Sequence, residues 1–198
     1  MIEVFGWAAA ALGVGSSVPQ FVRIVRERTS AGVSLRTWQI SAASTAAWAF
    51  HGFLVEAPQM QVPNILLCAI SLGIVGYILR ERRKSMLLPL LAIVALAVAL
   101  GGVELLFGAF VFGTVIVAPQ LLAQLTQMRE MLRSDDLRGV SLGWLALFLV
   151  VQAMWFVFGF VTVDWALIVC AGAMCVTASI NLAIYLVRSR RQAVALAV

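Results

Sequence analysis

Long apolar blocks separated by short polar breaks set the pattern of this chain. The blocks run to about 20 residues, the length an α-helix needs to cross roughly 30 Å of hydrocarbon at ~1.5 Å per residue. Breaks at charges, Gly and Pro predict helices at Val4 to Val22, Thr37 to Val55, Met60 to Leu79, Ser85 to Val103, Phe107 to Leu125, Leu142 to Val163 and Trp165 to Val187. Composition sharpens this. With 63% apolar and 12% charged residues and a mean hydropathy of +1.02, the chain has too few polar side chains to cover a soluble globule. The expected fold is an all-α polytopic membrane protein with seven transmembrane helices, and the lipid bilayer is its first partner. Met1-Ile2-Glu3 is acidic where a secretory signal is basic, so the first helix is expected to be retained.

Charge then sets an orientation. Threading seven spans places all 14 Lys and Arg on one side, in clusters from Arg23 to Arg36, Arg80 to Lys84, Arg129 to Arg138 and Arg188 to Arg191. The other side receives Glu3, Glu56, Glu104 and Asp164. Every Asp and Glu is thereby expected at a span end or in a loop. The positive-inside rule puts the N-terminus outside and the C-terminus in the cytoplasm, with the plasma membrane as the expected location, and any even count of spans breaks the segregation. The same clusters account for a pI near 9.9 without nucleic acid, since they lack the interleaved polar and aromatic residues of a binding groove.

An internal repeat is visible. A shift of 100 lays Pro19-Gln20 on Pro119-Gln120, and a shift of 107 lays Gly32-Val33-Ser34-Leu35 on Gly139-Val140-Ser141-Leu142, Trp48 on Trp155, Gly52 on Gly159 and Cys68 on Cys175. Residues 1–84 then form a first three-helix repeat, 85–104 a linker transmembrane helix, 105–191 a second repeat and 192–198 a short cytoplasmic tail. Three spans end opposite their start, so the linker returns the chain and the repeats run parallel.

The Pro-Gln pair late in the first helix of each repeat, the basic loop with Gly-Val-Ser after it and the three-plus-one-plus-three layout resemble the PQ-loop superfamily, and within it the SWEET and SemiSWEET sugar transporters. The resemblance covers nearly the whole chain, and parallel repeats of this kind are known from the SWEETs. It implies a sugar uniporter working by alternating access, with the Pro-Gln bends at Pro19, Gln20, Pro119 and Gln120 as its gate. In physical terms each proline removes a backbone donor and pushes away the carbonyl of Gly15 or Val115, and the neighbouring Gln offers a replacement donor. Trp48 and Asn64 resemble the Trp and Asn that line the SemiSWEET pocket. An indole covers the apolar face of a sugar, and a carboxamide both donates to and accepts from its hydroxyls. The bland readings are an interfacial aromatic belt for Trp48 and a helix-start role for Asn64 after Pro63.

The second repeat departs from this. Trp155 repeats Trp48, but Asn64 falls opposite Ala171, or Gly172 with a shift of one. Gln152, opposite Thr45, is one turn from Trp155, so Thr45, Trp48, Gln152 and Trp155 make a candidate pocket face by i, i+3 spacing. Asn181 does not align with Asn64 and is expected to bond to a neighbouring helix. His51, paired with Phe158, is the one titratable residue expected well inside a span, and is read as structural rather than as a proton relay. Facilitated diffusion follows.

Cys68, Cys170 and Cys175 lack metal or redox spacing, and no nucleophile–base pair, HExxH or phosphate loop is present, so neither a cofactor nor an enzymatic activity is expected. The expected partners are lipid and a small neutral solute, a sugar first, with a homo-oligomer left open. A PQ-loop carrier of another solute, such as an amino acid, and a non-transporting seven-helix receptor or sorting protein remain the alternatives.

Overall fold

A computed structural model describes the chain apart from residues 28–29, 31–32, 135–136, 138–139 and 196–198 and the side chains of 16–21, 23–25, 27 and 190–195. The described residues form helices α1 (Ile2–Glu27), α2 (Leu35–Leu54), α3 (Pro58–Glu81), α4 (Leu87–Ile116), α5 (Ala118–Arg133), α6 (Leu142–Thr162) and α7 (Trp165–Ala195), with no strand among them. A chain this apolar must satisfy its backbone within each segment, which a helix does.

Not all of these helices qualify as spans by themselves. Among the described residues four stretches are long and apolar enough to cross a membrane: Pro58–Glu81, Leu87–Arg133, Leu142–Thr162 and Trp165–Ser189. The expectation of seven spans is corrected to this count. Of α1, the stretch Ile2–Gly15 is apolar, α2 is diluted by Arg36, Thr37, Gln39, Ser41, Ser44 and Thr45, and α4 runs almost directly into α5. Among the described residues the protein is all-helical, with four stretches long and apolar enough to span a bilayer.

Helix starts follow local chemistry. Ser34 takes extended backbone angles and its Oγ accepts from the Thr37 N–H at 3.3 Å. Ser141 does the same for the Trp144 N–H at 3.2 Å. Both satisfy a donor that the first turn leaves orphaned. Asp164 opens α7, its Oδ1 accepting from the N–H groups of Ala166 (3.0 Å) and Leu167 (3.2 Å). The break in the long apolar run 87–133 lies elsewhere than predicted. A charge does not end a helix, and α4 continues past Glu104 to Gly108, where φ of 82° and ψ of 173° suit a residue without Cβ. A second interruption at Val117 precedes α5.

The chain divides into two compact units, Met1–Phe112 and Gly113–Val198. In the first, α3 packs against both α1 and α2, and Ala42, Ala43, Val75, Leu79 and Ile93 form a core that carries α4 through Ile93 and Ala97. In the second, α7 packs against both α5 and α6, with Met131, Leu137 and Leu145 buried beside Tyr185. The third helix of each unit is thus its centre.

The units repeat one another in backbone detail. A Cβ on Gly52 would lie 2.7 Å from the Gln61 nitrogen, and one on Gly159 would lie 2.6 Å from Leu167 Cβ and 3.2 Å from the Ile168 nitrogen. Positions 61 and 168 are equivalent under the shift of 107. The turns after these glycines also match: the Ala57 N–H donates to the Gly52 carbonyl at 2.8 Å, as Asp164 does to Gly159 at 2.8 Å. Before α2 the Val33 N–H donates to Ser30 at 3.0 Å, and before α6 Val140 donates to Leu137 at 2.9 Å.

Even the helix ends that tether these loops coincide. Glu81 accepts from the Ser30 N–H at 2.8 Å. Arg188, its equivalent, donates to the carbonyls of Leu132 and Ser134. The position keeps its task while the charge changes sign.

Candidate functional site

Trp48 lies on the core face of α2, 9% exposed, because Ala42, Ala43 and Ala47 beside it let the helices approach closely enough to enclose an indole. Its ring meets His51 edge-on, centroids 5.4 Å apart, and Phe112 at 5.2 Å. His51 stacks on Phe112 at 5.4 Å with 25° between planes. Its Nδ1 contacts Glu104 Oε1, forming a buried ion pair or hydrogen bond according to where the proton sits. Both side chains are enclosed, His51 at 0% and Glu104 at 7% exposure, and Glu104 Oε2 is buried without a hydrogen-bond partner.

Glu104 lies in the last turn of α4 before the break at Gly108, roughly 25 Å along the axis from Leu87 at ~1.5 Å per residue, near a helix end as expected but buried rather than open to solvent. It is the one charged residue between Lys84 and Arg129 in the sequence. That isolation was a signal, since an acid alone in an apolar run needs a partner; the break expected at Val103 hid it.

The other expected site residues are placed as follows. Thr45 is half-buried and donates to the Ser41 carbonyl of its own helix at 2.8 Å. Asn64 is half-buried and donates to the Met60 carbonyl one turn back at 2.8 Å. It lies within α3, which starts at Pro58, so the helix-start role does not arise. Its Oδ1 and second amide hydrogen are not engaged by that bond. The structure therefore gathers Trp48 with His51, Phe112 and Glu104, while Thr45 and Asn64 bond first within their own helices.

In the second unit Trp155 and Gln152 are half-buried on α6. Trp155 meets Phe158 edge-on at 5.8 Å and 81°, repeating the Trp48–His51 geometry with an apolar ring. The position opposite Asn64 has no room for an amide. Ala171 is 2% exposed, and a Cβ on Gly172 would sit 3.1 Å from the Phe156 ring. Phe156 replaces Ala49, so a large residue on α6 meets a small one on α7 where the first repeat has Ala49 and Ile65. Asn181 donates to Gln124 on α5 through its carbonyl (3.1 Å) and its side chain (2.6 Å), the interhelical role expected of it.

The two Pro-Gln pairs differ in setting. Helix α1 continues through positions 19 and 20, whose side chains lie outside the described residues. Pro119 is exposed in the first turn of α5, where a missing N–H costs nothing, and Gln120 follows half-buried. A matched pair of mid-helix bends is therefore corrected: Pro119 starts a new helix after the break at Val117. Among the described residues no group of three His, Cys, Asp or Glu that could hold a metal is present. No protein-family model and no curated protein matches the chain.

Proposed function

We propose that this chain is a membrane transporter for a small neutral solute, a sugar first, working by alternating access. The observation that carries the reading is the repetition of two three-helix units, down to the glycine crossings and the serine caps, with one tryptophan kept at the equivalent place in each. Two such units that reproduce each other are the architecture on which parallel-repeat carriers are built. In the first unit Trp48 offers an indole to the C–H face of a sugar, and Thr45 and Asn64 offer donors and acceptors for its hydroxyls; in the second unit Trp155 and Gln152 offer the same chemistry. The host membrane is the plasma membrane.

The gate consists of the segments around Pro19-Gln20 and Pro119-Gln120, and the break at Val117 gives the second a ready hinge. Uniport was expected because no acid was placed deep in a span; Glu104, one turn before the break at Gly108, stays near a helix end but is buried against His51. The test is tracer uptake into proteoliposomes with glucose, sucrose and neutral amino acids, comparing the parent chain with Trp48→Ala and Asn64→Ala. Sugar uptake lowered at least tenfold by Trp48→Ala is expected. Amino-acid uptake without sugar uptake overturns the substrate class, and no uptake of any solute overturns transport.

A further inference from the structure

We propose that His51 and Glu104 form a proton-binding site whose occupancy is coupled to solute movement past Trp48. This rests on the transport reading and adds its driving force.

The argument begins with charge. With one proton shared between Nδ1 and Oε1, the pair is net neutral, as imidazolium with carboxylate or as imidazole with carboxylic acid. Loss of that proton to water leaves a carboxylate with net charge −1 and changes no other bond; its return restores the neutral pair. A net charge in a low-dielectric interior is costly, whereas a neutral hydrogen-bonded pair is tolerated. The deprotonated site therefore favours a state in which water reaches it, and the protonated site favours the enclosed arrangement, with both residues more than nine-tenths buried. Proton occupancy and opening are thermodynamically linked.

Three features make this pair suited to exchange rather than to simple packing. Glu104 Oε2 is buried and unpartnered, a cost that entry of water would relieve. The pair sits near the α2–α3 turn, since α2 ends at Leu54, and close to the break at Gly108, so α4 can move beyond Glu104 without unwinding a central turn. Finally, the aromatic wall around it is also the wall of the proposed solute site: Trp48 contacts both His51 and Phe112. A solute that displaces Trp48 disturbs the enclosure of the pair.

The charged groups around it are few. Among the described residues α4 contributes Glu104, the start of α3 contributes the uncharged Gln59, Gln61 and Asn64, and Glu56, after α2, is exposed. The second unit has Phe158 in the equivalent place, so the site belongs to the first repeat alone.

Two measurements on the purified full-length chain test this. The first is independent of any solute. Imidazolium quenches indole emission more than imidazole does, so the part of the tryptophan emission that Trp48→Phe removes should titrate between pH 4 and 9 in the parent chain. It should be flat in Glu104→Gln and in the doubly apolar His51→Phe/Glu104→Leu, which keeps no buried charge and serves as the folded control. A flat signal in the parent chain overturns the proposal. The second uses proteoliposomes and labelled glucose, with uptake at equal pH compared with uptake under an inward proton gradient of one pH unit. One proton per solute drives up to about tenfold accumulation, and the ratio should fall to about one in both variants. Uptake at equal pH with no gradient effect in the parent chain overturns the coupling and leaves the transport reading standing. Absence of uptake with the titration intact sinks transport while supporting the proton site.

Discussion

Gly52 gives the sharpest stability test. A methyl group there would meet the Gln61 nitrogen at 2.7 Å, Gln61 Cα at 3.1 Å and Met60 Cβ at 3.1 Å. The first two are backbone atoms of α3, so the α2–α3 crossing itself must widen; no side-chain rotation relieves the contact. Overpacking of this kind costs about 1–3 kcal/mol. Alanine also favours a helix over glycine by about 0.8–1.0 kcal/mol, which would mask part of the effect. Gly76→Ala cancels that gain, because Gly76 lies in α3 with nothing within 4 Å of the added atom. The difference between Gly52→Ala and Gly76→Ala is then the packing cost alone. For a chain of this size about 1 kcal/mol corresponds to ~2–4 °C, so Gly52→Ala should melt roughly 2–12 °C below Gly76→Ala in the same detergent. Gly159→Ala should behave like Gly52→Ala, given its 2.6 Å contact with Leu167 Cβ. Equal melting temperatures for Gly52→Ala and Gly76→Ala would refute the close crossing.

Further outcomes follow from single contacts. Ser34→Ala and Ser141→Ala should each lower stability by about 0.5–2 kcal/mol through loss of the cap, and by similar amounts because the two caps are equivalent; thermal melts of each check this. His51→Phe leaves Glu104 as a buried carboxylate without its partner, a change worth about 3–5 kcal/mol, and His51→Phe/Glu104→Leu should recover most of it. A double mutant no more stable than His51→Phe alone contradicts the pairing. Asn181→Leu breaks the α7–α5 bonds to Gln124 and should cost about 0.6–1.7 kcal/mol, read from the melting temperature of the full chain. Pro119→Ala should slow solute flux with little loss of stability, since Pro119 occupies an exposed first-turn position; unchanged flux argues against α5 as part of the gate.

Much of the architecture was legible because it rests on periods and repeats. Apolar block lengths located the helices to within a few residues at most ends, and the shift of 107 that aligned Gly52 with Gly159 reappears as equivalent close crossings. The two serine caps fall within the Gly-Val-Ser-Leu match that marked the repeat. The failures have a common cause. Reading a charge as a helix end stopped the helix at Val103 instead of just before Gly108, and so hid that Glu104 in its last turn is buried against a partner. Reading Pro-Gln as one local motif with one geometry overlooked that a proline is tolerated in a first turn as well as at a bend.

The sequence by itself determined a helical membrane protein made of a repeated three-helix unit, since hydropathy, span length and residue identities at equivalent positions are local or periodic quantities. Tertiary structure alone decided which side chains meet. His51 and Glu104 stand 53 positions apart, and no local pattern specifies that α4 brings a carboxylate to the imidazole beside Trp48. It also decided why Asn64 has no counterpart, since Phe156 crowds Gly172 only once α6 and α7 are packed. Pairing of buried polar groups and competition for volume are properties of packed helices, and they distinguish two units whose sequences otherwise read alike.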